Sequence, residues 1–338
     1  IMEMPYNDII RKFIDMYAGR LRNQVSFMLS ACNFYMPIFE EALDAYGLPL
    51  ELRYLPIIES ALNPSAVSRA GASGLWQFMI GTGKIYGLES NSLVDERRDP
   101  IKATWAAARY LKEMYDIYGD WNLVIAAYNC GPGTINKAIR RANGETDYWK
   151  IYNYLPKETR GYVPAFIAAN YVMTYYCDHN ICPMETNIPA STDTVQVNKN
   201  LHFEQIADLC NVPLDQIKSL NPQYKKQMIP GDSKPYTLRL PIDAISTFID
   251  KQDTIYTHRA DELFRNRKTV AVKDITPATR KTTSAVAGKG NLTYYTIKSG
   301  DTLSTIARKY GVTIKDIQRW NGMSSTKIAA GKRLKIYK

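Results

Sequence analysis

The sequence predicts an all-α domain over residues 1–185, followed by small α+β domains of βααβ type that run to residue 338. Three observations carry this. Up to residue 185 apolar residues recur at helical spacing, and no stretch alternates for long like a half-buried strand. From about residue 190, short β-rich stretches bracket pairs of brief helices. That second pattern also occurs twice, with an offset of 100 residues. A chain of 338 residues has room for several cores.

Residues 7–48 read as helical, with Ile10, Phe13, Ile14 and Tyr17 on one face and Phe39, Leu43 and Tyr46 on another. Gly47 ends that stretch and Pro49 follows. ELRYLPIIES then continues as a short helix, kinked or started by Pro56. Asn63-Pro64 and the Gly71–Gly74 cluster mark turns. Residues 101–118 form an amphipathic helix with Ala107, Leu111, Met114 and Tyr118 on one side. Trp121–Asn129 is apolar nearly all round, the pattern of a buried central helix, and Gly131-Pro132-Gly133 stops it. A last helix runs from about Tyr162 to Tyr176, its Ala165, Ala168 and Ala169 permitting close packing.

In the repeat, Phe203, Ile206, Ala207, Val212, Leu214, Ile217, Leu220 and Asn221 match Leu303, Ile306, Ala307, Val312, Ile314, Ile317, Trp320 and Asn321. Each copy opens on a β-rich stretch (Thr194–Val197; Tyr294–Ile297) and closes on another (Tyr236–Leu240; Arg333–Ile336). The expected domains are 190–243 and 292–338. Between them lie a connecting helix and strand over 244–273 and a flexible linker over 274–291, which is rich in Thr, Ala, Gly and Lys.

Charge divides along the same line. Residues 1–185 carry 18 Lys+Arg against 20 Asp+Glu, whereas residues 186–338 carry 25 against 13. This suggests a catalytic half and a half that holds an anionic polymer, with a merely solvated basic surface as an equal alternative. No zinc finger, RNA-binding signature or compact basic helix points to nucleic acid. No apolar run approaches the roughly 18 residues that span a bilayer, and the opening IMEMPYNDII does not read as a signal peptide. Five cysteines (32, 130, 177, 182, 210) are too scattered for a disulfide framework. Cys177, His179 and Cys182 offer three metal ligands where structural zinc needs four, so no metal site is expected there. A local disulfide or two free thiols is the better reading of that pair.

The chemistry centres on LPIIESALNPSAVSRAGASGLWQ, residues 55–77. Glu59 ends an apolar run, and a carboxyl group in such a setting is a candidate proton donor because desolvation penalises its charged form. Ser60, Ser68, Gln77, Tyr128 and Asn129 are candidate polar neighbours. On this stretch alone, an ordinary helix-end carboxylate, solvated or paired with arginine, is the better reading. Rival engines fail more clearly. Gly71-Ala72-Ser73-Gly74 is not G-x-S-x-G. The three histidines (179, 202, 258) lie outside the central motifs, and there is no P-loop or EF-hand.

Four motifs in order change the balance: ES at 59–60, SRAGASGLWQFM at 68–79, AAYNCGPG at 126–133 and ETRGYVPAF at 158–166. Together they resemble the lysozyme-like catalytic domain of the lytic murein transglycosylases, above all the membrane-bound D group. The resemblance covers residues 5–185. YYTIKSGDTLSTIARKYGVTIKDIQRWNG is similar to a LysM domain, a module that binds N-acetylglucosamine-containing glycans. The earlier copy reads as a degenerate LysM-like domain, structural or weakly binding, because Asn198-Lys199-Asn200-Leu201 replaces the Ser299-Gly300-Asp301-Thr302 turn.

The resemblance implies cleavage of the β-1,4 bond between N-acetylmuramic acid and N-acetylglucosamine in peptidoglycan, with Glu59 as sole acid and base, closing a 1,6-anhydro ring. It places Ser60, Ser68, Gln77, Met79, Tyr128, Asn129, Glu158 and Tyr162 at the substrate, and Gly300, Asp301, Thr302 and Asn321 at a LysM glycan site. Glu89 and Asp95 fall beyond the glycine-rich turn in an unrelated loop, and Glu158 is the carboxylate that could compete for a second catalytic role. Ile80 and Cys130 stand where proline and alanine are common in the family. No cofactor is implied. The expected partner is the glycan strand, the expected place the periplasm of a bacterial envelope, and the expected state a monomer. An outer-membrane lipid anchor is a family expectation that no residue in this sequence can show. A water-using muramidase and a non-catalytic peptidoglycan-binding scaffold are the alternatives.

Overall fold

The computed structural model describes residues 2–186, 188–189, 191–264, 292–298, 301–321, 323, 325–326 and 328–337. The first part is helical, as the periodicity demands. Helix α1 (Asp8–Ala18) is capped by Asn7, whose side chain accepts from the amides of Ile9 and Ile10, both at 3.0 Å. Helix α2 (Arg22–Ala45) follows, and a 3-10 turn over Leu50–Tyr54 leads into α3 (Leu55–Ser60). Then come α4 (Ile80–Ile85), α5 (Pro100–Tyr118), α6 (Trp121–Cys130), α7 (Pro132–Arg141), α8 (Tyr148–Ile151) and α9 (Lys157–Thr174).

The core forms around α6, where Asn122–Ala127 are all buried and the helix packs against α5, α7 and α9. Two boundaries differ from the sequence reading. Gly131 does end α6, but Pro132 opens α7, because a residue without an N–H loses nothing in a first turn. Helix α9 begins at Lys157, five residues before the expected Tyr162, so Glu158 lies in its first turn and Tyr162 one turn later.

The first βααβ copy holds β1 (Thr192–Val197), β2 (Asn200–His202), α10 (Phe203–Cys210), α11 (Leu214–Leu220), β3 (Met228–Pro230) and β4 (Tyr236–Pro241). Strands β1 and β4 pair antiparallel with Val195 opposite Leu238. The replaced turn has become β2, which pairs with β3 to make a second ribbon. The described part of the expected connecting segment is α12 (Ile242–Asp250), α13 (Gln252–Thr257) and α14 (Ala260–Leu263). It is not a spacer: Ala244, Phe248 and Ile255 are buried in the same core as Phe203, Ile206 and Leu238. Three more apolar side chains in a core of this size are what a fifty-residue module lacks alone. The expected strand before residue 273 and the linker 274–291 lie outside the described residues.

Residues 1–277 make one compact unit and residues 278–338 another. The second unit contains β5 (Leu292–Thr296), α15 (Leu303–Tyr310), α16 (Ile314–Trp320) and β6 (Arg333–Tyr337), with β5 antiparallel to β6 around Tyr295, Leu303, Ile306, Ile317 and Ile336. No helix among the described residues is long and apolar enough to cross a membrane.

Candidate active site

Helix α3 has only six residues. Pro56 sits in its first turn, while Leu55, Pro56 and Ile57 are buried and anchor it. It ends abruptly, with Ala61 at φ 51° and Leu62 at φ 58°. Left-handed non-glycine residues cost energy and persist only where packing enforces them. Here the amides of Ala61 and Leu62 return to the carbonyls of Ile57 and Pro56 at 3.1 and 3.3 Å. The Ser60 hydroxyl contacts the carbonyls of Leu75 (2.9 Å) and Pro56 (3.1 Å), tying α3 to the glycine-rich turn. That hydroxyl is thus committed to backbone.

Glu59 projects from α3 into a ring of tyrosines. The Tyr162 hydroxyl, from α9, donates to Glu59 Oε1. Burial raises the Glu59 pKa to about 7, with the Tyr162 hydrogen bond pulling the other way. Tyr128 of α6 and Tyr162 are themselves pushed far above the usual phenol range by burial and by the Glu59 charge. Both stay protonated at any working pH. No carboxylate is among the groups that shift Glu59.

The glycine-rich turn is built to close on this ring. Ser68 and Ala72 exchange backbone and side-chain hydrogen bonds, Ser68 N to Ala72 O at 2.9 Å and Ala72 N to Ser68 Oγ at 3.0 Å. Gly74, at φ +86°, passes so close to the next loop that a Cβ there would lie 1.7 Å from the Arg97 carbonyl oxygen. Trp76 is fully buried, its indole N–H donating to Thr104 Oγ1 at 2.9 Å, and its carbonyl accepts from the Tyr128 hydroxyl at 2.7 Å. Gln77 is held at φ 49° and its amide nitrogen donates to the Gly74 carbonyl at 2.8 Å. Met79 is exposed at the start of α4, Ser68 is exposed on the turn, and Glu158 is exposed on α9. Asn129 Oδ1 accepts from Thr159 Oγ1 at 2.9 Å, joining the end of α6 to α9.

Glu59 and Tyr162 therefore meet directly, Tyr128 feels the Glu59 charge, and Trp76-Gln77 joins them through the Tyr128–Trp76 hydrogen bond. Sequence reasoning missed the brace behind the turn. Arg97 is buried, forms a two-pronged pair with Asp95 (both bonds 2.8 Å), and donates to the carbonyls of Gly71 and Phe78, both at 2.8 Å. Burial pushes Asp95 up, but the Arg97 hydrogen bonds and charge hold it below the usual carboxylate range. The Asp95 loop is thus not unrelated to the turn but supports it. The sequence signal, a VDERRDP run, is indistinguishable from an ordinary solvated loop.

Elsewhere, a cavity of about 760 Å³ lined by Leu48, Arg53, Tyr115 and Trp121 contains none of the expected site residues. Among the described residues no His/Cys/Asp/Glu group could hold a metal, and Cys177 and Cys182 are exposed free thiols.

In the second unit, the expected glycan residues are spent on the fold. Asp301 Oδ2 accepts from the Tyr295 hydroxyl and the Lys298 amide, both at 2.8 Å, and Thr302 Oγ1 accepts from the Thr305 amide at 3.2 Å. Asn321 donates to the carbonyls of Ile317 (2.8 Å) and Lys335 (2.9 Å) and accepts from the Lys335 amide (2.7 Å). These side chains hold the turn, cap α15 and clamp β6. Gly300 lies outside the described residues. A cavity of about 390 Å³ beside Asn321 is lined by Ile297, Met323, Ile328 and Lys332.

Residues 36–151 match the transglycosylase SLT domain, residues 191–257 the LysM-like domain of lytic transglycosylase MltD, and residues 295–336 the LysM domain. The chain is 32% identical over 339 residues to the membrane-bound lytic murein transglycosylase D of Escherichia coli strain K12, covering 99% of this chain and 70% of that protein. It is 33% identical over 124 residues to the soluble lytic murein transglycosylase of the same strain, covering 35% of this chain and 19% of that one. Among solved structures, the 70 kDa soluble lytic transglycosylase Slt70 of Escherichia coli aligns at 29% identity and a TM-score of 0.37, over 42% of this chain and 24% of that one.

Proposed function

The chain belongs to the membrane-bound lytic murein transglycosylase D family, and from that premise we propose that Glu59 alone cleaves the β-1,4 bond between N-acetylmuramic acid and N-acetylglucosamine. The observation that carries this is a carboxyl group whose pKa is raised by burial to about 7, bonded to a tyrosine and not perturbed by a second carboxylate. Most glycoside hydrolases pair two carboxylates. A site with one must find its nucleophile in the substrate.

The Tyr162 hydroxyl donates to Oε1, so the carboxyl proton resides on Oε2. From Oε2 it passes to the leaving glycosidic oxygen as the C1–O bond breaks, and the muramyl N-acetyl group stabilises the positive centre. Glu59, now a carboxylate, takes the proton of the C6 hydroxyl while O6 bonds to C1. The proton count closes, no water is consumed, and the product ends in a 1,6-anhydro ring.

Tyr128 and Asn129 fix the end of α6 behind the acid. Ser68, Gln77, Met79 and Glu158 line the muramyl site from the turn, α4 and α9. Ser60 acts as a positioning group, because its hydroxyl is used internally. Residues 1–185 make the catalytic domain, and the LysM unit at 292–338 takes the glycan along the Ile297–Met323–Lys332 cavity rather than through Asp301, Thr302 or Asn321. The protein is one of the bacterial cell envelope, working as a monomer on peptidoglycan strands at the periplasmic face.

Mass spectrometry of digested peptidoglycan tests the chemistry. Anhydro ends are the expected product. Reducing ends indicate a water-using muramidase, and intact strands a binding scaffold; either outcome refutes the proposal. Removal of 292–338 is expected to weaken sedimentation with insoluble peptidoglycan, and unchanged sedimentation refutes the LysM role.

A further inference from the structure

We propose that the first LysM-like copy is an internal brace: its groove face holds residues 89–95 of the catalytic domain and, through Arg97, fixes the glycine-rich turn that carries Gln77 and Met79.

Register equates the two copies residue by residue. Val197 pairs with Tyr236 in β1–β4, and Ile297 donates to the Lys332 carbonyl beside β5–β6. Asn221 clamps Arg239 as Asn321 clamps Lys335, each through the strand residue's amide and carbonyl. On this register the cavity-lining Met323 and Lys332 of the second copy correspond to Gln223 and Tyr236 of the first.

Both of those positions are occupied by the chain itself. The Gln223 carbonyl accepts from the Asp95 amide at 2.9 Å, and the Lys225 amide donates to the Leu93 carbonyl at 2.7 Å, so residues 93–95 add a short antiparallel bridge to 223–225. The Tyr236 hydroxyl donates to both Glu89 oxygens at 3.1 and 3.2 Å, and Lys234 pairs with Glu89 at 2.7 Å. Lys225 Nζ donates to the Asn91 carbonyl at 2.8 Å. Leu93 and Val94, 2% and 0% exposed, sit in the core of the first copy with Phe203 and Tyr224. A fully buried apolar pair within a backbone bridge is a fixed joint, not a passing contact.

The joint leads straight to the turn. Asp95 takes part in the bridge through its amide, and its carboxylate grips Arg97, whose other nitrogen holds the Gly71 and Phe78 carbonyls. Arg98 adds a bond from its Nε to Ser73 Oγ at 3.1 Å. Both ends of the segment that bears Gln77 are thereby pinned to a loop whose far side is buried in the brace. Arg97 is a positioning residue: it touches no reacting atom and sets where the turn stands relative to Glu59.

The test uses the full chain. In Val94→Asp a charge enters a fully buried site and undocks the brace, which hydrogen exchange reports as deprotection of the Asp95 and Lys225 amides. The expected result is faster exchange at Ser73 and Gln77, with kcat on soluble glycan strands falling about tenfold or more and KM changing little, because the acid survives but its alignment does not. Wild-type kcat in the undocked protein overturns the proposal. Should that variant not fold, Lys225→Ala decides: kcat about threefold lower with rescue by Lys225→Arg supports the brace, and unchanged kcat overturns it.

Discussion

Glu59→Gln separates the electrostatics of the site from its chemistry. The variant keeps an oxygen that can accept from Tyr162 and replaces an ionisable group with a neutral isostere. Burial lifts the Glu59 pKa from 4.5 to about 7. A carboxyl group raised in the folded state makes its full contribution to stability below the unfolded pKa. That contribution drains away as pH climbs toward the folded pKa, because the folded protein alone still holds the proton. Each unit is worth about 1.4 kcal/mol, so the whole shift amounts to about 3 kcal/mol; discounted for a residue that is only half-buried, about 2 kcal/mol of it falls between pH 5 and 8. Urea melts of both proteins at pH 5 and pH 8 are expected to show the wild type losing about 2 kcal/mol more than the variant over that range. Cleavage by the variant, scored as anhydro ends, is expected to fall about a thousandfold while sedimentation with peptidoglycan persists. A stability difference that stays flat with pH refutes a neutral Glu59, and retained cleavage refutes the single-acid mechanism.

Tyr162→Phe removes the one hydrogen bond that lowers the Glu59 pKa. The alkaline limb of the pH–rate profile is expected to move upward, while kcat at its optimum falls about tenfold as the carboxyl loses its fixed orientation. Gly74→Ala drives a Cβ to 1.7 Å from the Arg97 carbonyl, whereas Gly71→Ala meets nothing within 4 Å. Urea melts are expected to show a loss of about 3 kcal/mol or more for the first and about 1 kcal/mol, from the left-handed backbone alone, for the second. Asn321→Ala deletes three hydrogen bonds, one within α16 and the two that clamp Lys335 of β6. It is expected to cost the second unit about 2–3 kcal/mol, enough for exchange at Ile336 to approach the unfolded rate in so small a domain.

Local pattern made the helices and the repeat legible. The spacing of Ile10, Ile14 and Tyr17, or of Ala107, Leu111 and Met114, reflects which face is dry, and that information is carried residue by residue. The site was legible only as a set of four motifs, because Glu59 by itself reads as any helix-end acid. What raises its pKa is burial, which no local pattern records, and what holds it is the Tyr162 hydroxyl of α9, brought in from 103 residues away. Helix α9 meets two prolines, Pro156 and Pro164, that local pattern alone does not place. The first only precedes the helix, and the second sits inside it with tertiary packing covering the lost bond. The Asp95–Arg97 brace left no trace at all. A buried ion pair and a solvated one are written with the same letters, and only the fold decides which is which.

The charge asymmetry changes meaning for the same reason. An excess of lysine and arginine after residue 186 first suggested a surface for an anionic polymer. In the first copy, however, Lys234 and Lys225 face Glu89 and Asp95, and Arg259 is engaged with Glu204, Asp208 and Glu262. Part of that excess answers acidic residues that the catalytic half presents at its own joint, and a charge so engaged adds little to long-range attraction for glycan. The two copies have kept one clamp, Asn221 and Asn321, and one core pattern, because those hold a βααβ unit together whatever it touches. What differs is the face. The first copy lays Gln223 and Tyr236 against residues 89–95 behind the glycine-rich turn, and the second lines a cavity with Met323 and Lys332.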